Sequence, residues 1–455
     1  MLVCSGHSPR RPPTTLPPAN ELSATEAAAA IRAGGLRSAE LVEACLDRIG
    51  EREPQVGAWQ CLDSEAARRT AGRCDAEPPQ GPLHGLPVGI KDIIDTAGLP
   101  TERGSPIHAG RRPTDDAACV ARLRDAGAIV LGKTVTTELA YFQPGKTANP
   151  HRFAHTPGGS SSGSAAAVAD RMVPVALGTQ TAGSINRPAS YCGVVGYKPT
   201  HGDFGLEGVM PFAPSLDTLG VLARSVADAA LLRSALRPAG SEPPAPTRTV
   251  HLALCRTPWW DQAEPAVREG IGRVVARLSA MGMDVGEATL PSGFEALAAT
   301  QKSVMAYEAV RSLEVEHAHH RGLLSEALRS LLAAGMQIDD AEHRRGLALA
   351  RAQGDALARV FEACDLLITP ATHGEAPAGL GATGDPLFSR AWTLLGVPTL
   401  TLPAFRGPGG LPIGIQLVAA RGQDAALLQW GAAVEAALAW PGHGTDSNAS
   451  MWRSP

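Results

Sequence analysis

Gly158-Gly-Ser-Ser-Ser-Gly-Ser-Ala-Ala-Ala167, followed after a short apolar stretch by Gln180-Thr-Ala-Gly-Ser184, is the part of the chain from which the rest is read. Glycine and small hydroxyl residues gather here at a density that a packed core has no use for. Glycine lets backbone N–H groups come close to a ligand, and serine supplies a nucleophile or a proton relay. Alone, an Ala-Gly-Ser tripeptide reads as a structural turn and a Gly/Ser-rich run as a flexible linker. Against the linker, Ala165 to Ala169 follow at once as a helical segment, so the loop leads into ordered structure.

Outward from this stretch, apolar runs alternate with helical periodicity. Strands are expected at Leu86–Ile90, Ala128–Leu131 and Val173–Leu177, then at Thr249–Cys255, Asp365–Ile368, Thr399–Leu402 and Ile413–Val418. Ser23-Ala-Thr-Glu26 is a capping box opening a helix that ends near Gly34-Gly35, and Ser38 is expected to cap the next. Helices are also expected over Ala117–Ala126, Ser164–Asp170, Pro265–Met281 and from Asp424, with residues 296–362 almost wholly helical. The fold class is therefore α/β: a large mixed, mostly parallel twisted sheet flanked by helices. Residues 21–440 read as a single domain with 296–362 as a helical insert, and residues 1–20 and 441–455 as a disordered lead and tail. Pro238, Pro243, Pro244 and Pro246 mark a linker or surface crossing.

Lys91 ends the strand Leu86-Pro-Val-Gly-Ile90. It is either an edge residue with its head in water or a buried amine. Burial disfavours the charged form, and a neutral amine is a usable general base.

Taken together, Gly89-Ile-Lys-Asp92, the 158–167 run and Gln180–Ser184 closely resemble the amidase signature family of serine hydrolases, over roughly Ser23 to Leu438. Pro188-Ala189, Cys192-Gly-Val-Val-Gly196, Lys198-Pro-Thr200, Ser215-Leu-Asp217 and Gly410-Leu-Pro-Ile-Gly-Ile-Gln416 also fit. The resemblance implies Ser184 as nucleophile, Ser160 as relay, 24 positions earlier, and Lys91 as base. It implies a cis peptide bond between Gly159 and Ser160, and an oxyanion hole from the backbone N–H groups of Thr181, Ala182, Gly183 and Ser184. The chain departs from many members at Gln180 (Asp there), Ala182 (Gly there) and Asn186 (Arg there), with Arg187 one place on. By the same resemblance, Val135 to Gln143 and the insert around 300–345 should wall the substrate pocket. Tyr141, Phe142, Gln143 and Trp392 are the candidate lining, with ordinary core packing the alternative.

Two decoys need weighing. Gly159-Ser-Ser-Ser-Gly163 also satisfies G-x-S-x-G, with Ser161 central and His373 as a late base, but Asn149 to Pro157 is not the buried strand that motif needs. His317 and His320 lie at i, i+3, with His319 beside them, yet no H-E-x-x-H pattern accompanies them, so a solvated helix face is expected and no metal site.

A net charge of −4 leaves no electrostatic footprint for nucleic acid or an acidic membrane. Eight scattered cysteines without CxxC spacing suit a reducing compartment, and the sequence holds no run of about 18 apolar residues. The expectation is a cytoplasmic monomer or homodimer without cofactor. It would hydrolyse small amides, anilides or carbamates (urethanes), with apolar lining favouring aryl and alkyl groups. The alternatives are a glutamine-hydrolysing subunit of a tRNA-dependent amidotransferase, or an inactive binding protein on the same fold.

Overall fold

The computed structural model describes residues 18–237 and 248–440. Most of the expected lead, the Pro-rich crossing and the expected tail lie outside them. Residues 18–20 do not: Ala19–Glu21 form a 3-10 turn, held by Asn20 to the Arg171 carbonyl (3.3 Å) and by a Glu21–Arg171 ion pair (2.7 Å).

Among the described residues, eleven strands form one mixed sheet. They are β1 (Trp59–Leu62), β2 (Pro87–Lys91), β3 (Ile129–Thr134), β4 (Val175–Gln180), β5 (Val195–Lys198), β6 (Thr218–Ala223), β7 (His251–Cys255), β8 (Asp284–Ala288), β9 (Leu366–Pro370), β10 (Thr399–Arg406) and β11 (Pro412–Ala419). Their spatial order is β1-β3-β2-β4-β6-β5-β10-β11-β9-β7-β8. β2, β3, β4, β9 and β11 are buried along their whole length, which is why they read as continuous apolar runs without alternation.

The parallel share is smaller than the alternation of elements suggested. Parallel pairing joins β2 to β3 and β4, and β7 to β8 and β9. The remaining neighbours, including all of β4-β6-β5-β10-β11-β9, are antiparallel. One of these pairs has a local reason: β10 and β11 are joined by a tight turn at 407–411, too short for the helical crossover that parallel neighbours require.

Helices cover both faces, and one contiguous apolar core runs from Leu22 to Leu438. The Ser23 box forms as expected, with the Glu26 N–H donating to Ser23 Oγ (3.2 Å) and the Ser23 N–H to Glu26 Oε2 (2.8 Å). Such a cap contributes about 1 kcal/mol. Ser38 does not cap its helix, Ser38–Val56; the Asp75 carboxylate does, accepting from the N–H groups of Ser38 (2.6 Å) and Ala39 (3.2 Å). The insert forms four helices, Leu297–Ser312, Glu314–His320, Glu326–Gly335 and Asp340–Val360. No helix among the described residues is long and apolar enough to cross a membrane.

Candidate active site

The site lies at the C-terminal ends of the parallel pair β2 and β4. Lys91 is the last residue of β2 and is wholly buried. Its Nζ lies 2.7 Å from Ser160 Oγ, 2.7 Å from Thr179 Oγ1 and 3.1 Å from Ser161 Oγ. No carboxylate contacts it among the described residues. Burial drives its pKa well below the ordinary lysine range, against an opposing pull from Asp217. The amine is therefore favoured in its neutral form, in a ring of hydroxyls that can exchange protons with it.

Ser160 sits in the turn that enters the helix Ser162–Ala169. Every described peptide bond is trans, so the expected cis bond at Gly159–Ser160 is not present. The chain turns instead through two glycines with positive φ, Gly158 (+82°) and Gly159 (+61°). A Cβ on Gly158 would come within 2.5 Å of the Tyr191 ring, and one on Gly159 within 2.6 Å of Pro188 and 3.2 Å of the Ser184 Cα. The loop carrying Ser160 is thus pressed directly onto the segment carrying Ser184.

Ser184 follows β4 in the turn Thr181–Ser184, ahead of the helix Asn186–Cys192. The carbonyls of this turn are taken: Thr181 O accepts from Gln301 Nε2 (2.9 Å), Ala182 O lies 3.0 Å from Thr393 Oγ1, and Gly183 O accepts from the Arg187 N–H (3.0 Å). The four N–H groups of Thr181, Ala182, Gly183 and Ser184 have no partner among the described residues. Pinned carbonyls with free N–H groups are what a developing oxyanion needs. Asp217 steadies the same turn: its Oδ1 accepts from Thr181 Oγ1 (2.5 Å) and its Oδ2 from the N–H groups of Phe212 (2.7 Å) and Ala213 (2.9 Å). Burial raises the Asp217 pKa to about 6.

The departures at Gln180 and Asn186 form one network without charge. Gln180 Oε1 accepts from the N–H groups of Ile185 (2.8 Å) and Asn186 (3.1 Å), capping the helix Asn186–Cys192. Asn186 points into the core, donating to Gln416 Oε1 and Thr399 Oγ1. Arg187 turns the other way, toward the cavity.

Ser160, Thr181, Ala182, Ser184 and Arg187 open on one small cavity, closed by Tyr141, Phe142, Phe212 and Met305. A larger chamber of about 250 Å³ adjoins it through Ala140, Thr181 and Phe212 and is lined mainly by apolar groups with Asp217 and Thr179. An outer cleft, lined by Gln143, Asp385 and Arg390, adjoins it through Phe142 and Thr383. Beside these chambers Leu139 (φ +47°) and Ala140 (φ +62°) adopt a backbone conformation that costs a side-chain-bearing residue free energy. It is held by the Leu139 N–H to Arg103 O (2.9 Å), and Glu138 binds the Ser325 N–H (3.0 Å), tying the loop to the insert.

Of the expected lining, Tyr141 and Phe142 reach the cavity with Ser184, and Gln143 reaches only the outer cleft. Trp392 reaches neither: it is fully buried against Phe294, ring centroids 5.1 Å apart, because its helix Leu387–Leu394 turns that face into the core. From the insert, Met305 and Ala327 arrive, and Gln301 binds the turn from behind. Ser161 is fully buried and His373 packs on Phe388 with Nδ1 at the Gln262 carbonyl (2.9 Å), so no serine–histidine pair forms here. His319 and His320 are exposed on the helix Glu314–His320. Thr179, Asp217 and Gln301 went unread as site residues; Thr179 stands two positions ahead of Thr181 and Asp217 lies in the Ser215-Leu-Asp217 stretch that carries the resemblance, whereas Gln301 had no local signal.

A family model described as Amidase matches residues 40–428. Among curated proteins, the A subunit of the glutamyl-tRNA(Gln) amidotransferase of Chloroflexus aggregans is 34% identical over 92% of this chain and 97% of its own length. Among solved structures, one described as an amidase superposes with a TM-score of 0.84 at 32% identity, over 91% of this chain and 99% of its own. The native peptide amidase from Stenotrophomonas maltophilia does so with a TM-score of 0.79 at 31% identity, over 91% and 96%. With the sheet, the serine-bearing turns and these matches in agreement across nearly the whole described chain, the protein belongs to the amidase signature family of C–N bond hydrolases.

Proposed function

We propose that this enzyme cleaves an amide through an acyl-enzyme on Ser184. The observation that carries the reading is the buried amine of Lys91 at 2.7 Å from Ser160 Oγ, with Ser160 and Ser184 on one cavity. Lys91 takes the Ser160 proton as Ser160 takes that of Ser184. The Ser184 oxygen attacks the carbonyl, and the oxyanion meets the free N–H groups of Thr181 to Ser184. The relay then returns the proton to the departing amine nitrogen, the C–N bond breaks, and water releases the acid by the same path in reverse. Each pinned donor is worth about 100- to 1000-fold in rate.

A more specific reading is favoured by the curated relatives, amidotransferase A subunits at 32–34% identity over 87–93% of this chain. On that reading the amide is glutamine, and the chain works with partner subunits on a charged tRNA. The relatives and solved structures named above are described as amidotransferase subunits and amidases, not as urethanases. Ser184→Ala is expected to abolish both amide turnover and labelling by a fluorophosphonate while circular dichroism stays unchanged; labelling that persists moves the nucleophile elsewhere. Turnover of glutamine, a p-nitroanilide and an aryl carbamate by the chain alone, then with amidotransferase partner subunits and tRNA, separates the substrate readings. Glutamine hydrolysis that rises with the partners supports the amidotransferase, and anilide turnover by the isolated chain supports the small-amide hydrolase.

A further inference from the structure

Gln301 stands between Leu297 and Met305 on the buried face of the helix Leu297–Ser312 and is completely shielded from solvent. An amide buried on such a face costs free energy unless its polar atoms are paired. Here they are: Oε1 accepts from Arg390 Nη1 (2.5 Å), and Nε2 donates to Thr181 O (2.9 Å) and lies 3.7 Å from Met305 Sδ. Arg390, only 4% exposed, makes no other hydrogen bond among the described residues; its Nε has no partner, and Asp385 stays 4.0 Å away. A guanidinium donates and never accepts, so it can face only the oxygen end of the amide. The NH2 end is thereby committed to Thr181.

The peptide joining Thr181 to Ala182 is trans, so its C=O and N–H point in opposite directions. Gln301, which does not line the cavity with Ala182, takes the carbonyl and so commits the Ala182 N–H to the other side. The next two peptides are held likewise, Ala182 O at Thr393 Oγ1 and Gly183 O by the Arg187 N–H. Those anchors belong to the helix Leu387–Leu394 and to the helix that follows the turn itself. Of the three, only the anchor behind the Ala182 N–H comes from the insert.

We propose that Gln301 and Arg390 are positioning residues for the chemical step: Arg390 orients the Gln301 amide, and Gln301 aims the Ala182 N–H at the oxyanion formed when Ser184 attacks. Both act through the turn and not on the substrate. This rests on the hydrolase reading above, and it ties the rate of chemistry at the sheet to a helix of the insert. A donor aimed at charge that exists only in the transition state contributes to kcat and little to KM.

The experiment is a set of variants of the full-length enzyme, with rates counted per folded molecule. Gln301→Glu keeps an acceptor for Arg390, so the buried cation stays paired, but an ionised carboxylate has nothing to donate to Thr181 O. Its amide kcat is expected to fall about 100-fold, with KM changed less than about threefold. Fluorophosphonate labelling should slow in step, because phosphonylation develops charge at the same oxygen position. The acid limb of the pH–rate profile, which belongs to Lys91, should stay in place; a general distortion of the site would move it. Arg390→Met leaves Gln301 in position and tests the chain from its other end: it should lose about tenfold in kcat, and Arg390→Lys should recover part of that. Gln301→Met with Arg390→Met exchanges the polar pair for apolar side chains and should be no slower than Gln301→Met alone. Unchanged kcat in Gln301→Glu or Arg390→Met, a loss confined to KM, or losses that multiply in the double variant overturn this inference alone. An unmodified enzyme neither labelled nor active on any amide overturns the hydrolase reading, and this inference with it.

Discussion

Lys91 and Lys133 stand on neighbouring parallel strands, one register position apart, and both are completely buried. Lys91 pairs with Thr134 and Lys133 with Ile90, so the two amines leave opposite faces of the sheet. Lys91 meets only hydroxyls and a carbonyl. Lys133 meets a carboxylate, Asp92 Oδ1 at 3.5 Å, besides Thr101 Oγ1 and the Ile94 carbonyl. Asp92 directly follows Lys91, and the pleat sends it to the other face. Burial lowers both amines, but with Asp92 opposing it Lys133 falls only to about 8, whereas Lys91 falls well below its ordinary value. Burial therefore favours a neutral amine where no carboxylate contacts it; with one in contact, the same residue type forms a structural ion pair.

The largest expected effect breaks the pair at Lys91. Lys91→Met should lower amide turnover about 100- to 10,000-fold, since it removes the proton acceptor. The amide kcat/KM of the unmodified enzyme should fall as pH drops through the lowered Lys91 pKa, because the protonated amine cannot take the Ser160 proton. That acid limb should vanish from the residual activity of the variant. A comparable loss per folded molecule in Lys133→Met would erase the distinction between the two lysines.

The second effect concerns stability. Asp92→Leu leaves Lys133 buried without its carboxylate and should cost about 3–5 kcal/mol in urea unfolding, while Asp92→Leu with Lys133→Met should recover most of it. The pH dependence follows from both shifts. Burial, the larger influence, raises Asp92 to about 6, so its contribution falls as pH rises from about 4 to about 6. Lys133, lowered to about 8, contributes stability that rises only from about 8 to about 10.4. Between those limits the pair is charged and its burial costs most, so the double variant should gain most, relative to the unmodified enzyme, between about pH 6 and 8. A double variant no more stable than Asp92→Leu would show that the pair is not the coupled unit described.

The smallest effect sharpens how little charge the Ser184 side of the site tolerates. Gln180→Ala removes the acceptor for Ile185 and Asn186 and should cost about 1–3 kcal/mol. Gln180→Asp restores the acceptor but buries a carboxylate beside Asn186, where no arginine answers it. Thermal unfolding should rank Gln180→Asp no better than Gln180→Ala; a more stable Gln180→Asp would mean that the amide is not required here.

The order of residues along the chain was enough to read the apolar runs, and hence most strands and helices, together with the serine-bearing turns and the lysine that ends β2. These are local properties: strand burial, capping and glycine density are written in adjacent residues. Left unread were β1, β5 and β8, which are short or lack a continuous apolar run, and β6, although Leu219-Gly-Val-Leu-Ala223 is such a run; the parallel share was overstated, since strand direction depends on how distant segments dock. Three features came only with packing. The pleat sorts Lys91 and Asp92 onto opposite faces, and the helix Leu387–Leu394 turns Trp392 inward. One helical step separates Asn186 in the core from Arg187 at the cavity. In each, the residue types were plain in the sequence, but solvation and pairing, which decide what a charge or a ring does, arise from neighbours brought together only when the sheet closes.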